Sequence, residues 1–253
     1  MNSYIKKFVV LSSVFASCFS LAKSSSTDRN KKVLIVLTSH DTMGDTGKKT
    51  GYWLSELTHP YEIFSKQGLK VDIASIKGGA APIDQVSYDL KDSVNQKLIK
   101  NPTFKNKIDN TLVLKNVDAK NYAAVFYAGG HGTMWDFPKS VAVQKITKEI
   151  YETGGIVSAV CHGPAALVNV KLSNGKSLLA DKKVTGFSIE EEDAVKLSSA
   201  VPFQLETALR ASGGQFKKGK SWQNHVVVDQ RVVTGQNPAS AAGVADAVLK
   251  LLD

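Results

Sequence analysis

The sequence predicts an α/β fold, a flavodoxin-like doubly wound sandwich with a mostly parallel central sheet and a cysteine nucleophile elbow. Short apolar runs, typical of strands buried on both faces, recur along the chain. Between them lie longer stretches with apolar residues three and four positions apart, as at Val244, Val248 and Leu251. Strands that alternate with amphipathic helices indicate a parallel sheet flanked by helices. Cys161 directly follows one predicted strand, at the turn into a helix-competent segment.

Each strand is predicted from a run dominated by Val, Ile, Leu, Ala or aromatic residues, and each helix from apolar positions at helical spacing. The predicted strands are 33–37, 71–74, 123–127, 156–160, and 226–228 with 232–233. The predicted helices are 52–67, 141–153, 202–211 and 239–252. Residues 101–118 contain Pro102, mixed charges and one short apolar run, and we expect them to form an excursion from the main sheet.

The first 22 residues are predicted to be a signal peptide. Lys6 and Lys7 precede an apolar stretch, 8–21, that is too short to span a bilayer. Ser20-Leu21-Ala22 then supplies small residues at a cleavage site. We therefore expect an exported protein, periplasmic or secreted.

After the signal peptide we expect a polar linker, 23–32, and a single α/β domain, 33–253, because no change of composition divides the rest of the chain. Two alternatives to a signal peptide stay open. One is a buried N-terminal helix. The other is a lipoprotein anchored through Cys18, although Phe15 fits the first position of a lipobox poorly.

Composition excludes several function classes. The chain has 253 residues, 43% hydrophobic and 22% charged, which is typical of a soluble globular protein rather than a disordered or fibrous one. The formal net charge is +9, but basic residues are spread along the chain with acidic residues among them. Because there is no arginine-rich block and no basic–aromatic interleaving, we expect no nucleic-acid binding. The apolar stretch 8–21 is too short to span a bilayer, so we expect no membrane span.

Cys161 is the first candidate catalytic residue. Removal of the signal peptide leaves it as the single cysteine, so an internal disulfide is excluded and the thiol is either buried and inert or reactive. A helix start and an adjacent histidine both lower the pKa of a thiol, and this favours a reactive thiolate.

Two histidines can serve this thiol. His162 is adjacent to Cys161, and His131 follows a predicted strand and should lie at the same edge of the sheet. The residues alone do not rank one above the other. The glycines beside His131 lack the spacing of a dinucleotide-binding loop. They allow close backbone approach, so the N–H groups of Gly130 and His162 are candidates for an oxyanion hole, with an ordinary turn as the alternative.

Acidic candidates are less specific. Glu56 follows Trp53 by three positions and would share its face of a helix, where burial would raise the pKa of the carboxyl group and suit proton transfer. A surface glutamate is the alternative. The run Glu190-Glu191-Glu192-Asp193 is most simply a solvated first helical turn.

Five ordered motifs resemble the DJ-1/PfpI superfamily, most closely its Hsp31-like branch, over essentially the whole predicted mature chain. They are Ala159-Val160-Cys161-His162-Gly163-Pro164-Ala165, Tyr127-Ala128-Gly129-Gly130-His131-Gly132, Thr50-Gly51-Tyr52-Trp53-Leu54-Ser55-Glu56-Leu57-Thr58-His59-Pro60, Val184-Thr185-Gly186-Phe187 and Val233-Thr234-Gly235-Gln236-Asn237-Pro238-Ala239-Ser240.

The resemblance implies a role for each candidate. In this branch the cysteine and the next histidine form a triad with an acid five positions after the phenylalanine of the Thr-Gly-Phe motif. That position is Glu192, with Glu190, Glu191 and Asp193 as substitutes. The resemblance also places Glu56 as a buried acid against Cys161, and Gly130, His131 and His162 at the oxyanion and substrate-binding positions.

The implied activity is glutathione-independent conversion of methylglyoxal, a small aldehyde, to lactate without a metal or an organic cofactor, with a homodimer left open. The alternatives are a holding chaperone or stress protein and a cysteine-dependent hydrolase, either a deglycase or a peptidase. Class I glutamine amidotransferases take their histidine from a late His-Pro-Glu segment. This chain has Asn237-Pro238-Ala239-Ser240 there and no histidine after His225, which disfavours glutamine hydrolysis.

Overall fold

The computed structural model describes Met1 and residues 32–253. Its strands are β1 Lys32–Leu37, β2 Lys70–Ser75, β3 Leu112–Val113, β4 Ala124–Tyr127, β5 Ile156–Val160, β6 Lys183–Val184, β7 Gln215–Phe216, β8 Val226–Asp229 and β9 Val232–Gly235. Seven of them form one sheet in the order β3-β2-β1-β4-β5-β9-β8, and β6 pairs with β7 in a separate ladder. Every pair in the main sheet is parallel except β8 with β9. The predicted mostly parallel α/β fold is therefore confirmed.

The helices that flank the sheet follow the predicted alternation, with additions. They are α1 Leu54–Lys66, α2 Ser93–Ile99, α3 Pro102–Asp109, α4 Thr133–Asp136, α5 Val141–Glu152, α6 Ile189–Ala194, α7 Leu205–Ala211 and α8 Ala241–Leu252. The short helices α2 and α3 were not predicted. Each begins at a side-chain cap, since Asp92 accepts hydrogen bonds from Val94 and Asn95, and Asn101 caps α3 in the same way.

Residues 101–118 were expected to leave the main sheet, and this is only partly correct. Leu112 and Val113 form β3, a parallel edge strand beside Ala74 and Ser75 of β2. Two residues are too few to show a strand periodicity, so the pattern could not reveal the pairing.

The strand order explains where a site can form. From β1 the chain proceeds outward to β2 and β3, then returns to β4 on the opposite side of β1. In open sheets of this kind, ligands bind outside the carboxyl ends of the strands near such a reversal. β4 and β5 are buried along their whole length, so the loops that follow them are held on rigid supports. The segment between β5 and β8 carries β6, β7, α6 and α7 and lies outside the main ladder.

The predicted signal peptide and nearly all of the linker lie outside the described residues. Strand β1 begins at Lys32, the last position of the predicted linker. Within residues 32–253 no helix is long and apolar enough to cross a membrane.

Candidate active site

Cys161 occupies the sharp turn after β5, in a left-handed backbone conformation with a φ of 59°. Such a conformation costs a residue with a side chain about 1–3 kcal/mol, so the surroundings must hold it in place. The Cys161 N–H donates to the carbonyl of Gly235 on β9 at 2.9 Å, and its own carbonyl accepts from the N–H of Phe187 at 2.8 Å. These bonds fix a nucleophile elbow at the carboxyl edge of the sheet.

The segment after the elbow is shorter than expected. It is a four-residue 3-10 helix, Gly163–Ala166, rather than a long α-helix. A side chain at Gly163 would lie 2.3 Å from the carbonyl oxygen of Tyr127, so only glycine allows this close approach to β4. Because one short turn has almost no macrodipole, the expected helix-dipole effect on the pKa of the Cys161 thiol does not apply.

A cysteine, a histidine and a glutamate stand in line at the elbow. The Cys161 Sγ lies 3.3 Å from Nδ1 of His162, and Nε2 of His162 lies 2.7 Å from Oε2 of Glu192. All three side chains are buried. A carboxylate that fixes an imidazole, which in turn faces a nucleophile, is the arrangement of a catalytic triad.

The surroundings of His162 keep its imidazole neutral. Burial, followed by the proximity of His131, lowers the pKa of His162 to about 4, despite the opposing attraction of Glu192. Burial would raise the pKa of Glu192, but its interactions with His162 and His131 outweigh this and lower it to about 2. With Glu192 ionised, the Nε2–H of His162 donates to it, and Nδ1 is left as an acceptor for the thiol proton.

The second candidate histidine is joined to the same carboxylate. Nε2 of His131 lies 2.9 Å from Oε1 of Glu192, and the rings of His131 and His162 are 4.1 Å apart between centroids. Each oxygen of Glu192 therefore accepts a bond from a different histidine. Of the two histidines that the sequence left open, His162 is the one that faces the sulfur, and His131 bonds to the other oxygen of Glu192.

Glu56 lies under the thiol and not at the surface. It is in the first turn of α1, fully buried, and its Oε2 accepts a 2.7 Å hydrogen bond from the N–H of Gly129. Burial raises the pKa of Glu56 to about 8, against the lowering effects of Gly129 and Cys161. Oε1 has no hydrogen-bond partner among the described residues. Since Oε2 is an acceptor, the proton of neutral Glu56 belongs on Oε1.

Burial also raises the pKa of the Cys161 thiol, and the charge of Glu56, when ionised, adds to this. Backbone N–H groups of His162 and Gly130 act in the opposite direction because they donate toward the sulfur. While Glu56 keeps its proton, its repulsive charge is absent and the thiolate is easier to form.

Both predicted oxyanion donors thus lie near enough to the sulfur for their N–H groups to lower the pKa of the thiol. Gly130 has a φ of 99°, and a side chain there would come within 2.4 Å of the carbonyl oxygen of Gly51. Glycine is therefore required where this N–H turns toward the sulfur.

The acidic run on α6 is not a simple solvated turn. Glu190 and Asp193 are exposed, and Glu190 pairs with Lys218. Glu191 and Glu192 are buried. Successive residues of a helix point about 100° apart, so one short helix directs two carboxylates to solvent and two inward. Among the four, only Glu192 contacts His162.

A model of the DJ-1/PfpI family matches residues 48–251. The chain belongs to the DJ-1/PfpI family. It is 36% identical over 229 residues to a Saccharomyces cerevisiae protein named glutathione-independent glyoxalase HSP31, covering 85% of this chain and 95% of that one. The crystal structure of glyoxalase III from Candida albicans is 31% identical with a TM-score of 0.80, covering 89% of this chain and 98% of that one.

A second solved structure has the same fold over nearly the same length. The Rapid Encystment Protein 24 kDa of Francisella tularensis is 45% identical, with a TM-score of 0.86, covering 88% of this chain and 99% of that one. The chain thus spans nearly the full length of these three relatives.

In this DJ-1/PfpI chain the triad opens into a cavity of about 310 Å³. The lining is mostly apolar and consists of Trp53, His131, Cys161, His162, Phe187, Val195, Trp222, Asn237, Pro238 and Ala239. A larger cavity, of about 630 Å³, lies beside α7 and includes none of the triad residues. The smaller cavity is the site of interest because Cys161, His162 and His131 line it.

Phe187, Trp222 and Asn237 were not among the predicted site residues. Phe187 and Asn237 lie inside two motifs of the DJ-1/PfpI resemblance, so the motifs contained a signal that was not used. Trp222 lies in a loop with no periodic pattern, and no feature of the sequence marks it.

His131, His162 and Glu192 also form a donor set that could hold a metal ion, since their ligand atoms lie within 4.8 Å of one another. These atoms already hydrogen-bond to each other through Glu192. A metal ion here would occupy the nitrogen that keeps His162 in its working tautomer, and it would compete with the triad.

The buried acid predicts a distinctive pH dependence of stability. Because Glu56 titrates near pH 8 when folded and near 4.5 when unfolded, the folded state holds the extra proton between these values. The contribution of Glu56 to stability should therefore fall as pH rises from about 4.5 to about 8, by on the order of 5 kcal/mol. The lowered pKa of His162 acts in the opposite direction below about pH 6.5, so the effect of Glu56 is measured as a difference between a variant and the wild type.

Glu56→Gln keeps the shape and removes this titration, so the difference in unfolding free energy between variant and wild type should move in favour of the variant across that window. Thermal or urea unfolding at pH 5 and pH 9 measures it. Glu149→Gln, which removes a partly exposed carboxylate on α5, serves as the control. A parallel pH profile for wild type and Glu56→Gln would contradict the buried-acid assignment.

Proposed function

We propose that this protein is a glutathione-independent glyoxalase that converts methylglyoxal to lactate by covalent catalysis at Cys161. The observation that carries the proposal is the buried line from Cys161 Sγ to His162 Nδ1, 3.3 Å, and from His162 Nε2 to Glu192, 2.7 Å. Relatives that match over most of the chain bear the names glyoxalase 3 and glutathione-independent glyoxalase. The rest of the mechanism follows from these atoms and their neighbours.

The first step forms the sulfur–carbon bond. Nδ1 of His162 takes the thiol proton, and the thiolate adds to the aldehyde carbon of methylglyoxal. The electron pair of the C=O bond moves onto the oxygen, where the N–H groups of Gly130 and His162 can stabilise the negative charge. Donors fixed in advance at a developing oxyanion act most strongly in a site without water, and Cys161 is only 2% exposed.

The second step moves a hydrogen between neighbouring carbons. The oxyanion takes the proton held by His162, which leaves the imidazole neutral and able to remove the proton from the former aldehyde carbon. The electron pair of that C–H bond forms the C=C bond of an enediol while the ketone oxygen gains a proton. A proton then returns to the adjacent carbon, and the hydroxyl group of the first carbon loses its proton to give a carbonyl. The first carbon is thereby oxidised to a thioester and the second is reduced to a secondary alcohol, so no external oxidant is needed. His162 faces the sulfur and is the nearest titratable base, while neutral Glu56 beneath it can donate a hydrogen bond to the sulfur.

The last step releases the product. Water attacks the thioester carbon, the sulfur–carbon bond breaks, and the thiol regains a proton. Methylglyoxal plus one water gives lactic acid, and the enzyme returns to its starting state. Glu192 keeps His162 in one tautomer through all three steps.

The direct test is incubation of the purified protein with methylglyoxal in the absence of glutathione and in the presence of a chelator such as EDTA. We expect lactate, followed by NMR, at a rate proportional to enzyme concentration and unaffected by the chelator. Heat-denatured protein at the same concentration is the control for reaction of methylglyoxal with lysine and arginine side chains. Failure to form lactate above this control would overturn the proposal.

A further inference from the structure

We infer that the site selects uncharged 2-oxoaldehydes with a bulky apolar or aromatic substituent, that Trp222 is the residue that sets this preference, and that Glu191 is the residue that positions it. The inference rests on the proposed function and adds a substrate class to it. Three observations carry it, concerning the size of the pocket, the backbone of Trp222 and the hydrogen bonds of Glu191.

The pocket is larger than methylglyoxal requires. Its volume is about 310 Å³. Five non-hydrogen atoms fill at most about 150 Å³ if each takes the share of a water molecule in the liquid, about 30 Å³. The remaining space is bounded chiefly by Trp53, Phe187, Trp222 and Pro238, and no lysine or arginine lines the cavity. An apolar substituent would fill this space, and an anionic one would find no cationic partner there.

Trp222 is held in an unusual way for a residue at the rim. Its φ is 63°, a left-handed conformation that is a genuine outlier for a bulky residue, and its side chain is 49% exposed. The ring packs edge-on against Phe187 at 5.7 Å between centroids, and Phe187 in turn lies 4.3 Å from the ring of His162. Strained backbone that the surroundings hold in place is common at ligand clamps. Phe187 and Trp222 thus form a continuous row of aromatic rings from His162 to the mouth of the pocket.

The strain at Trp222 is held by a buried carboxylate. Oε1 of Glu191 accepts from the backbone N–H of Trp222 at 2.9 Å and from Nδ2 of Asn237 at 2.8 Å. Oε2 accepts from the N–H and the hydroxyl of Ser188 at 3.1 and 2.9 Å. Only an acceptor on both oxygens can satisfy all four donors. Glu191 therefore connects Ser188 at the start of α6 with the backbone of Trp222 and the side chain of Asn237. It directly precedes Glu192 in the sequence.

The test compares kcat/KM for phenylglyoxal and for methylglyoxal, measured without glutathione as mandelate and lactate. Wild type should prefer phenylglyoxal by at least about tenfold. Trp222→Ala should lower the ratio of the two values about five- to tenfold, because an aromatic contact to the substrate is lost. Trp222→Phe should retain most of the ratio. Tyr88→Ala, which removes an aromatic residue of similar exposure outside the pocket, is the matched control and should leave the ratio unchanged.

Glu191→Gln tests the positioning role. It should raise KM for phenylglyoxal more than it lowers kcat, since Trp222 is displaced while the triad is kept, and the exposed Glu190→Gln should change neither. If methylglyoxal is converted but phenylglyoxal is not preferred, or if Trp222→Ala leaves the ratio intact, this inference fails and the proposed function stands. If neither substrate gives product, the proposed function fails and this inference with it.

Discussion

Replacing Cys161 with alanine should lower kcat/KM for methylglyoxal by at least about 10⁴-fold, because no other group at the elbow can form the covalent adduct. The fold should survive, since the two hydrogen bonds that hold this turn use the backbone N–H and carbonyl of residue 161 and not its side chain. Lactate formation followed by NMR, together with the thermal unfolding midpoint, separates loss of chemistry from loss of structure.

Cys161→Ser is the companion variant, because it keeps the shape and a hydrogen-bond donor beside His162. We expect it to be nearly as inactive, since a hydroxyl gives up its proton far less readily than a thiol. Full lactate formation by either variant would show that the buried thiol is an inert core residue and that the chemistry lies elsewhere.

Glu192→Gln should reduce kcat by about 10²- to 10⁴-fold while the protein remains folded. A glutamine presents one oxygen and one NH₂ group where the carboxylate accepted from both His162 and His131, so one histidine would face a donor. His162 can then place its proton on Nδ1, the nitrogen that must take the proton of Cys161. Steady-state kinetics with methylglyoxal measure the loss.

The pH profile gives this variant a second signature. Glu192 has a pKa of about 2 in the folded protein, below its unfolded value of 4.5, so its contribution to stability is present above about pH 4.5 and disappears as pH falls through about 2. Glu192→Gln should lack that acid-dependent loss. Glu190→Gln, two positions earlier on α6 and exposed, is the matched control for the kinetic measurement. Equal kcat values for Glu192→Gln and wild type would remove Glu192 from the triad.

The main sheet could be predicted because its interior strands are continuous apolar runs, and such runs between amphipathic helices indicate buried parallel strands. The two-residue strands β3, β6 and β7 could not, since pairing over so short a length is decided by tertiary packing and leaves no pattern. The elbow could be predicted as well, because a Cys161-His162 pair, followed by Gly163, comes directly after such a strand.

The triad acid and the residues that line the pocket were harder to predict from the sequence. Composition cannot choose among three consecutive glutamates, and the resemblance was needed to select Glu192. The three side chains point in different directions because successive residues of a helix are rotated by about 100°. Glu190 therefore faces solvent, Glu191 contacts the backbone of Trp222, and Glu192 contacts His162. Trp222 lies at the site because of the conformation of its loop, and a loop leaves no periodic pattern in the sequence from which its conformation could be predicted.

The triad is assembled from two parts of the molecule. Cys161 and the oxyanion donors belong to the main sheet, whereas Glu192 arrives on the segment between β5 and β8, outside the main ladder. Opening of that segment would take away both the acid that orients His162 and the Phe187 N–H that helps to hold the Cys161 turn. The fraction of working enzyme therefore depends on the free energy of opening this one substructure, and local opening free energies extend from near zero up to the global free energy of unfolding.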